Sequence, residues 1–377
     1  MTRRPLHVLV VDDSALMRRY IRQAIQDAGH RVTLARDGEE ALAAIRREAP
    51  DVVTLDINMP KMDGLMCLAH IMTDHPLPVV MVSSLTERGA LATFEALELG
   101  AVDYVSKPGG TVSHNILSVA DVLVKKVESA AAARWRLRSR SRAPRASAPP
   151  PVQRPKARPS TPSRSIPSTK AAVDLVLVGV STGGPSALET IFTGIDPSFP
   201  APVLVAQHMP DTFTGIFAKR MSTKCAVDVV EVRDVTPLVA GTVYIARGGH
   251  DIVVDRRLGR LVARSVEVDP QYTWHPCVSR MVASALAIVP PERLVGVQLT
   301  GMGDDGAKEM AELRARGGRT IAESEASCVV WGMPRALVIR NGATVELSAP
   351  AIAKRLVAWA TTEAIAPRFA PSRSRSA

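Results

Sequence analysis

The 377-residue sequence predicts two α/β domains, each with a doubly wound and largely parallel sheet, joined by a segment that does not fold. Three observations lead to this prediction. The chain is longer than one typical domain. Short apolar runs alternate with amphipathic segments in both halves, which is typical of successive βα units. Between the halves lies a stretch rich in proline, arginine and serine, whose composition buries too little apolar surface to fold.

The first domain is expected over residues 1–130. Its apolar runs predict five strands, and a helical pattern follows each of them, the last around Ile116–Val127. Strands that are separated by helices in this way form a parallel sheet. The five predicted strands are Val8–Val11, Arg31–Ala35, Val52–Leu55, Val79–Val82 and Ala101–Val105.

The connecting segment is expected over residues 131–171. Within it, residues 134–170 contain eight prolines and eleven lysines or arginines, but no aspartate or glutamate. We predict a mobile, solvated linker. Because the whole chain has a formal net charge of +10, the remainder carries about −1, so a basic groove that binds a specific nucleic acid is not expected on either folded domain.

The second domain is expected over residues 172–365, followed by a frayed tail over 366–377. The stretch Val229–Val266 is richer in β signals, so a hairpin or mixed edge is expected to interrupt the parallel arrangement. The clearest predicted strands are Val173–Val178, Val203–Ala206, Thr242–Ile245 and Leu294–Leu299.

Several classes of protein are disfavoured by the sequence. The four cysteines lack the spacing of a zinc site or of a disulfide framework, so buried free thiols are expected. Apolar runs such as Leu175–Val180 are too short to span a bilayer. No signal-peptide pattern precedes the first strand. We therefore expect a cytoplasmic protein without membrane insertion.

Acidic and basic residues follow the first, third and fifth predicted strands. Asp12 and Asp13 end the first strand, Asp56 ends the third, and Lys107 follows the fifth, so all four meet at one edge of the sheet. Clustered carboxylates repel one another unless a hard cation such as Mg²⁺ lies among them. Asp56 then suits nucleophilic attack on a phosphoryl group, with Lys107 balancing charge and Ser83 donating a hydrogen bond. Each residue alone is more often a helix cap or a solvated charge.

Taken together, these residues resemble the receiver domain of response regulators over about 120 residues. The matching motifs are Asp12-Asp13, Asp56-Ile-Asn-Met-Pro60, Asp63-Gly64, Ser83 and Lys107-Pro108. The resemblance implies a flavodoxin-like fold, Asp56 as phosphoacceptor and a histidine kinase as phosphodonor. It further implies Mg²⁺ bound directly by Asp13, Asp56 and the Asn58 carbonyl and through water by Asp12. Tyr104 occupies the position of the family's aromatic switch.

The second domain carries a glycine-rich turn after its first strand. Ser181 begins the turn Ser181-Thr-Gly-Gly-Pro185, which leads into a helical pattern, so backbone N–H groups can face a developing oxyanion. A phosphate-binding loop is a weaker alternative, because Pro185 stands where that motif needs lysine. His208 ends another strand and suits a general base, and either Asp304 or Asp305 suits the group that orients it.

This half resembles the catalytic domain of chemotaxis protein-glutamate methylesterases from about Val173 to Ala360, which implies a hydrolase-type fold. The motifs are Gly-Val-Ser181-Thr-Gly-Gly-Pro, Ala-Gln-His208-Met-Pro, Tyr244-Ile-Ala-Arg-Gly-Gly249, Leu299-Thr-Gly-Met-Gly-Asp-Asp305-Gly-Ala and Glu325-Ala-Ser-Cys-Val-Val-Trp-Gly-Met-Pro334. The family pattern Gly-Met-Gly-x-Asp-Gly assigns the catalytic aspartate to Asp305. It implies that Ser181 attacks the γ-methyl ester of a receptor glutamate, that His208 relays the proton, and that receptor glutamines are deamidated, without a cofactor.

The combined resemblance implies control of the hydrolase by phosphorylation of the receiver. The expected partners are a histidine kinase and methyl-accepting chemotaxis receptors, with recruitment of the protein to membrane receptor arrays. Two alternatives to this hypothesis agree less well with the sequence. A response regulator whose output domain binds DNA or a partner protein predicts a helix-turn-helix or basic-helix output, which the α/β pattern does not suggest. An adaptor with an idle serine is disfavoured by the intact Ser181, His208 and Asp305.

Overall fold

A computed structural model describes residues 4–107, 116–132 and 172–361. The first domain is a parallel five-stranded sheet in the order β2-β1-β3-β4-β5, which confirms the predicted fold. Its elements in chain order are β1 His7–Val11, α1 Ala15–Asp27, β2 Arg31–Ala35, α2 Gly38–Arg47, β3 Val52–Asp56, α3 Gly64–Asp74, β4 Val79–Ser83, α4 Glu87–Leu99, β5 Asp103–Ser106 and α5 Ile116–Ala132.

Strand β5 begins two residues later than predicted. Helix α4 ends at Leu99, and Gly100 caps it in the left-handed conformation with φ of 117°. The backbone then needs Ala101 and Val102 to turn back into the sheet, where the Val102 N–H bonds to the Val79 carbonyl. The apolar run therefore starts before the strand because both turn residues are buried.

Polar caps fix where the helices of the first domain begin. Four helices start after a residue whose side chain accepts a hydrogen bond from the first-turn backbone, so the loops at the carboxyl edge of the sheet are short and well defined. These N-cap residues are Ser14, Asp37, Asp63 and Thr86.

The second domain contains a seven-stranded sheet in the order β15-β14-β13-β6-β7-β10-β8, and every pairing in it is parallel. Its elements are β6 Leu175–Val180, α6 Gly184–Phe192, β7 Val203–Gln207, α7 Asp211–Lys224, β8 Asp228–Val232, β9 Thr236–Pro237, β10 Thr242–Ala246, β11 Asp251–Arg257, β12 Arg260–Val266, α8 Val278–Ile288, β13 Leu294–Gln298, α9 Ala307–Ala315, β14 Arg319–Glu323, α10 Met333–Ile339, β15 Val345–Leu347 and α11 Ala349–Thr361.

The predicted hairpin exists, but it does not interrupt the parallel sheet. Strands β11 and β12 pair antiparallel, and β9 joins β12 to form a separate three-stranded sheet. The expectation of a mixed edge was therefore wrong. Since β8 and β10 pair directly and in parallel, the hairpin residues leave the main sheet after β10 and pack against helix α8.

The two domains pack against each other along helix α4 and helix α7. The ring of Phe94 lies 6.0 Å from that of Phe213 and 5.6 Å from that of Phe217, and Tyr104 stacks on Phe213 at 4.9 Å. All four rings are buried. The carboxyl edge of the first sheet is thereby joined to the helix that follows β7 in the second.

Most of the predicted linker and tail lies outside the described residues. Residues 131 and 132 close helix α5, whereas 133–171 and 362–377 are not described. Within the described parts of the chain, no helix has the length and apolar character needed to cross a bilayer. The four cysteines are buried and form no disulfide with one another, as expected.

Candidate functional site

Three carboxylates of the first domain converge at the carboxyl edge of its sheet. Asp12 follows β1, Asp13 is the next residue, and Asp56 is the last residue of β3. One carboxylate oxygen from each lies within 4.8 Å of the others. Asp12 and Asp56 are buried, while Asp13 is exposed. This donor set, of hard oxygens with one side open to solvent, fits Mg²⁺ with its retained waters.

Lys107 is the cation that the chain itself brings to these carboxylates. Its Nζ lies 2.8 Å from Asp56 Oδ2 and 3.0 Å from Asp12 Oδ2. Burial raises the pKa of Asp56, and the charge of Asp12 adds to the rise, although Lys107 and the Asn58 backbone N–H oppose it. Because three carboxylates lie beside the one ammonium group of Lys107, negative charge remains in excess at this cluster, which is the electrostatic condition that favours a divalent cation.

The two predicted switch residues lie beside this cluster but make different contacts. The buried Ser83 hydroxyl donates to the Gly89 carbonyl at 3.1 Å. Tyr104 points away from the carboxylates into the domain interface, where it stacks on Phe213 with an interplanar angle of 5°. Its buried hydroxyl has no hydrogen-bond partner among the described residues. Lys107 is described, but Pro108 of the same motif is not.

Ser181 follows β6 directly and is 8% exposed. Its backbone N–H bonds to the Thr300 carbonyl at 3.0 Å, and its own carbonyl accepts from the Gly184 N–H at 2.8 Å. Gly183 caps helix α6 with φ of 78°. A Cβ at Gly301 would lie 2.7 Å from the Ser181 Cβ, so only glycine permits this close approach of the two strand-end loops.

His208 and Asp305 form a hydrogen-bonded pair next to this turn. The distance from His208 Nε2 to Asp305 Oδ2 is 2.9 Å, and the His208 backbone N–H bonds to the Val180 carbonyl, one residue before Ser181. Both side chains are nearly buried. The other ring nitrogen, Nδ1, is buried and has no hydrogen-bond partner within the described ranges. With Nε2 bound to a carboxylate, Nδ1 is the ring nitrogen left to accept a proton.

The surroundings of Asp305 keep it ionised. Backbone N–H groups of Val278 and Ser279 donate to it at 2.7 Å and 2.9 Å. Burial alone would raise its pKa, but the hydrogen bond and charge of His208, together with these N–H groups, lower the pKa to about 2. Its neighbour Asp304 is exposed and pairs with Arg340 at 2.8 Å. The structure therefore brings Asp305, and not Asp304, beside His208.

Sequence reasoning missed two residues near this pair. The indole of Trp274 stacks on the His208 imidazole at 5.2 Å with an interplanar angle of 11°. Asp251, buried at the start of β11, bonds to several groups of the loop that carries Trp274. The only sequence signal that could have pointed to Trp274 is that it is one of just four tryptophans in the chain and lies in a segment without a strand or helix pattern.

Comparison with known proteins finds two matching families and close relatives. The family described as CheB methylesterase matches residues 176–356, and the response regulator receiver domain matches residues 8–114. The chain is 51% identical to protein-glutamate methylesterase/protein-glutamine glutaminase 3 of Rhodospirillum rubrum, covering 93% of this chain and 95% of the relative. It is 47% identical to protein-glutamate methylesterase/protein-glutamine glutaminase 2 of Rhodopseudomonas palustris, covering 95% and 99%.

A solved structure is also similar to part of this chain. The CheB methylesterase catalytic domain of Thermotoga maritima is 33% identical, with a TM-score of 0.48. The match covers 49% of this chain and 98% of that chain.

Proposed function

This chain belongs to the family of CheB methylesterases with a response-regulator receiver domain, and from that membership we propose that it is a phosphorylation-activated hydrolase of chemotaxis receptors. Its substrates are the γ-methyl esters of receptor glutamates, which release methanol, and receptor glutamines, which are deamidated. The proposal rests above all on one observation. The His208–Asp305 pair, with Nδ1 free, lies beside the turn that carries Ser181.

The geometry supports a serine-hydrolase mechanism. Ser181 Oγ attacks the ester carbonyl carbon while His208 Nδ1 takes the hydroxyl proton, and Asp305 balances the charge of the imidazolium. Collapse of the tetrahedral intermediate expels methanol, which receives the proton from His208. Water then hydrolyses the acyl-enzyme with the same base, and the product is a glutamate carboxylate. The N–H groups of Ser181 and Gly184 bond to backbone carbonyls and Pro185 has none, so the oxyanion would be met by the N–H groups of Thr182 and Gly183, in the turn where the dipole of α6 favours negative charge.

An amide substrate follows the same route with a different leaving group. Glutamine offers the same acyl centre as the methyl ester, and the ammonia that leaves takes the proton from His208. No cofactor is needed for either reaction, since each step uses a group of the chain or a water molecule. Both reactions create one new negative charge on the receptor.

In the receiver, Asp13, Asp56 and the Asn58 carbonyl would hold Mg²⁺ directly, and Asp12 through water. The cation supplies positive charge to the phosphoryl oxygens when bound. A carboxylate oxygen of Asp56 attacks the phosphorus of the phosphohistidine of a histidine kinase, the P–N bond breaks and the kinase imidazole leaves, and Lys107 then pairs with the phosphoryl oxygens. Ser83 donates its hydroxyl hydrogen bond to the phosphoryl group instead of to Gly89.

The effect of phosphorylation is transmitted to the hydrolase domain through the interface between the two domains. Tyr104 stacks on Phe213, which lies in the first turn of α7, and α7 begins three residues after His208. Movement of Ser83 and Tyr104 toward the phosphoryl group would remove the ring that packs on Phe213 and loosen the docked domain. The receiver then shifts between a docked and a released state, and only the released state gives a receptor helix full access to Ser181.

We place the protein at membrane receptor arrays through its substrate, as a cytoplasmic enzyme without membrane insertion and without a specific nucleic-acid partner. A different role, as an adaptor that docks on receptors without turnover, leaves the buried Nδ1 of His208 without a purpose.

The esterase assignment is tested with methylated receptor membranes. Methanol and ammonia release are compared for the wild type, Ser181→Ala and Ser186→Ala. Ser186 is an exposed serine five residues along, on α6, and serves as the matched control. We expect Ser181→Ala to lower kcat by at least about 10⁴-fold for both products, as for a lost nucleophile, while Ser186→Ala stays active. Equal turnover by Ser181→Ala and wild type would favour the adaptor.

A further inference from the structure

The stacking of Trp274 on His208 is not accounted for by the three proposed catalytic groups. Trp274 lies between β12 and α8, in a segment without regular structure, and its indole is nearly parallel to the imidazole, with ring centres 5.2 Å apart. The imidazole is therefore held from two directions. Asp305 fixes its edge through Nε2, and Trp274 covers one of its faces.

A buried aspartate anchors the segment that presents Trp274. Asp251 accepts hydrogen bonds from His275 Nδ1 at 2.9 Å, from the Cys277 N–H at 2.9 Å and from Arg280 at 2.8 Å. Burial alone would raise the pKa of Asp251, but His275 and Arg280 lower it. The residue directly after Trp274 is thus tied to the core of the domain, so the indole is not a freely moving surface side chain.

The same segment also holds Asp305. The N–H groups of Val278 and Ser279 donate to its carboxylate, and the Cys277 thiol lies 3.5 Å from Oδ1. One continuous stretch, residues 274–279, therefore sets both the ring that covers His208 and the carboxylate that orients it. A shift of this stretch would move both constraints on the imidazole together.

We propose that Trp274 is a positioning residue for the hydrolysis, which holds the imidazole plane so that Nδ1 faces Ser181 and stabilises the imidazolium that forms in the reaction. The inference rests on the proposed function. In each half-reaction His208 Nδ1 takes one proton, first from Ser181 and then from water, and returns it to the leaving group. The negative face of an indole attracts a cation more than a neutral ring, so the stacking is stronger once the proton has arrived.

Asp305 is the charged side chain that contacts this imidazole. Asp305 contacts it from the loop before α9, and Cys277, on the segment after Trp274, contacts Asp305 rather than the ring. At the start of α7, Asp211 is neutralised by Arg247 at 2.8 Å, and Asp251 is matched by His275 and Arg280. Removal of Trp274 thus changes the face of His208 without removing a charge from its surroundings.

The test compares Trp274→Leu, Trp274→Phe and Trp359→Leu with the wild type and Ser181→Ala, in the full chain and with methylated receptor membranes. Trp359 lies on α11 against Arg319 and serves as the matched control. We expect Trp274→Leu to lower kcat by about 3- to 30-fold with little change in KM. Trp274→Phe is expected to keep most of the wild-type kcat, because it retains an aromatic ring. In Trp274→Leu the acidic limb of the kcat/KM profile moves to lower pH, because the imidazolium has lost a stabilising neighbour.

Each outcome separates the two proposals. Wild-type kcat in Trp274→Leu, with Ser181→Ala inactive, would overturn the role of Trp274 and leave the esterase standing. A loss of kcat that the phenylalanine does not restore, with an unmoved acidic limb, would show a purely structural role and also overturn it. Turnover that persists in Ser181→Ala would instead refute the proposed function itself. If Trp274→Leu unfolds, Trp274→Gln takes its place, since glutamine also removes the aromatic face, and the same kcat and pH outcomes decide.

Discussion

Both domains place a buried or nearly buried aspartate at the carboxyl edge of a parallel sheet, yet the pKa values of the two carboxylates are shifted in opposite directions. Asp56 is the last residue of β3, and burial raises its pKa despite the ion pair with Lys107. Asp305 lies in the loop after β13, and His208 with two backbone N–H groups lowers its pKa to about 2. Similar topology and burial thus leave one carboxylate undercompensated and the other fully satisfied.

The difference shows how an aspartate at the same edge of a parallel sheet can serve either phosphorylation or the orientation of a catalytic base. An undercompensated carboxylate responds to whatever brings positive charge or takes negative charge away, so Asp56 suits a site that binds a cation and becomes phosphorylated. A fully hydrogen-bonded carboxylate keeps a fixed charge and a fixed position, so Asp305 suits the orientation of a base. The partners around each aspartate, rather than its place in the sheet, decide its use.

The sharpest test of this contrast uses two adjacent aspartates. Asp305→Asn is expected to lower kcat by about 10³- to 10⁴-fold, because the amide no longer stabilises the imidazolium or fixes the tautomer of His208. Asp304→Asn removes only an exposed pair with Arg340 and should keep wild-type kcat. The kcat of each variant is measured from the rate of methanol release. Equal losses in the two variants would contradict the assignment of distinct roles.

The lowered pKa of Asp305 also predicts a pH-dependent contribution to stability. Because its folded pKa of about 2 lies below the ordinary value of 3.8, its ionisation stabilises the folded state above about pH 4, and this contribution is lost as the pH falls toward 2. At pH 7 we expect Asp305→Asn to lower the free energy of unfolding by about 2 kcal/mol.

Urea unfolding followed by tryptophan fluorescence measures this difference. Trp274, Trp331 and Trp359 lie in the second domain and none of the four tryptophans lies in residues 1–130, so the signal reports the domain that holds Asp305. The gap between wild type and variant should shrink in acid. A gap that is independent of pH would show that the loss comes from packing and not from the charge.

Mg²⁺ should stabilise the first domain by binding at the cluster of Asp12, Asp13 and Asp56, whereas the His208–Asp305 pair should not take part in this effect. Magnesium chloride at about ten times its dissociation constant is expected to stabilise the receiver by about 1.4 kcal/mol relative to EDTA. Thermal unfolding by circular dichroism detects the shift. Asp13→Asn should reduce it, since Asp13 is the exposed member of the acidic cluster, and Asp305→Asn should preserve it. A shift that survives in Asp13→Asn would place the cation elsewhere.

The smallest predicted effect concerns the charged rim of the domain interface. Glu98 on α4 pairs with Arg220 and Lys224 on α7, and these side chains are partly exposed. An ion pair of this kind contributes less than about 1 kcal/mol. Glu98→Gln should therefore raise methanol release by the unphosphorylated enzyme by only about twofold, whereas Glu95→Gln on the same helix should leave it unchanged. Lower release in Glu98→Gln would contradict a restraining role for the docked receiver.

Much of this architecture could be predicted from the sequence because it depends on local pattern. The apolar runs that end in Asp12, Asp56 and Ser181 are strands in the structure, and the predicted parallel sheet of the first domain is correct. Strand β14 was missed, since Arg319–Glu323 holds charges at both ends and little apolar sequence between them, although it is buried between two other strands.

The remaining features depend on contacts between distant parts of the chain. Asp304 and Asp305 are neighbours in one turn, and only the long-range hydrogen bonds of Asp305 to Val278 and Ser279 separate them. The stacking of Trp274 on His208 likewise depends on a segment anchored by Asp251. No periodicity of the sequence encodes such contacts.

The most direct test of the central claim, that the receiver controls a serine hydrolase, is methanol release with and without a small-molecule phosphodonor and Mg²⁺. Wild type, Asp56→Ala and Ser181→Ala are compared on the same methylated receptor membranes. The account predicts stimulation of the wild type, no stimulation of Asp56→Ala, and no turnover by Ser181→Ala under either condition. Stimulation that persists in Asp56→Ala, or turnover that persists in Ser181→Ala, would contradict it.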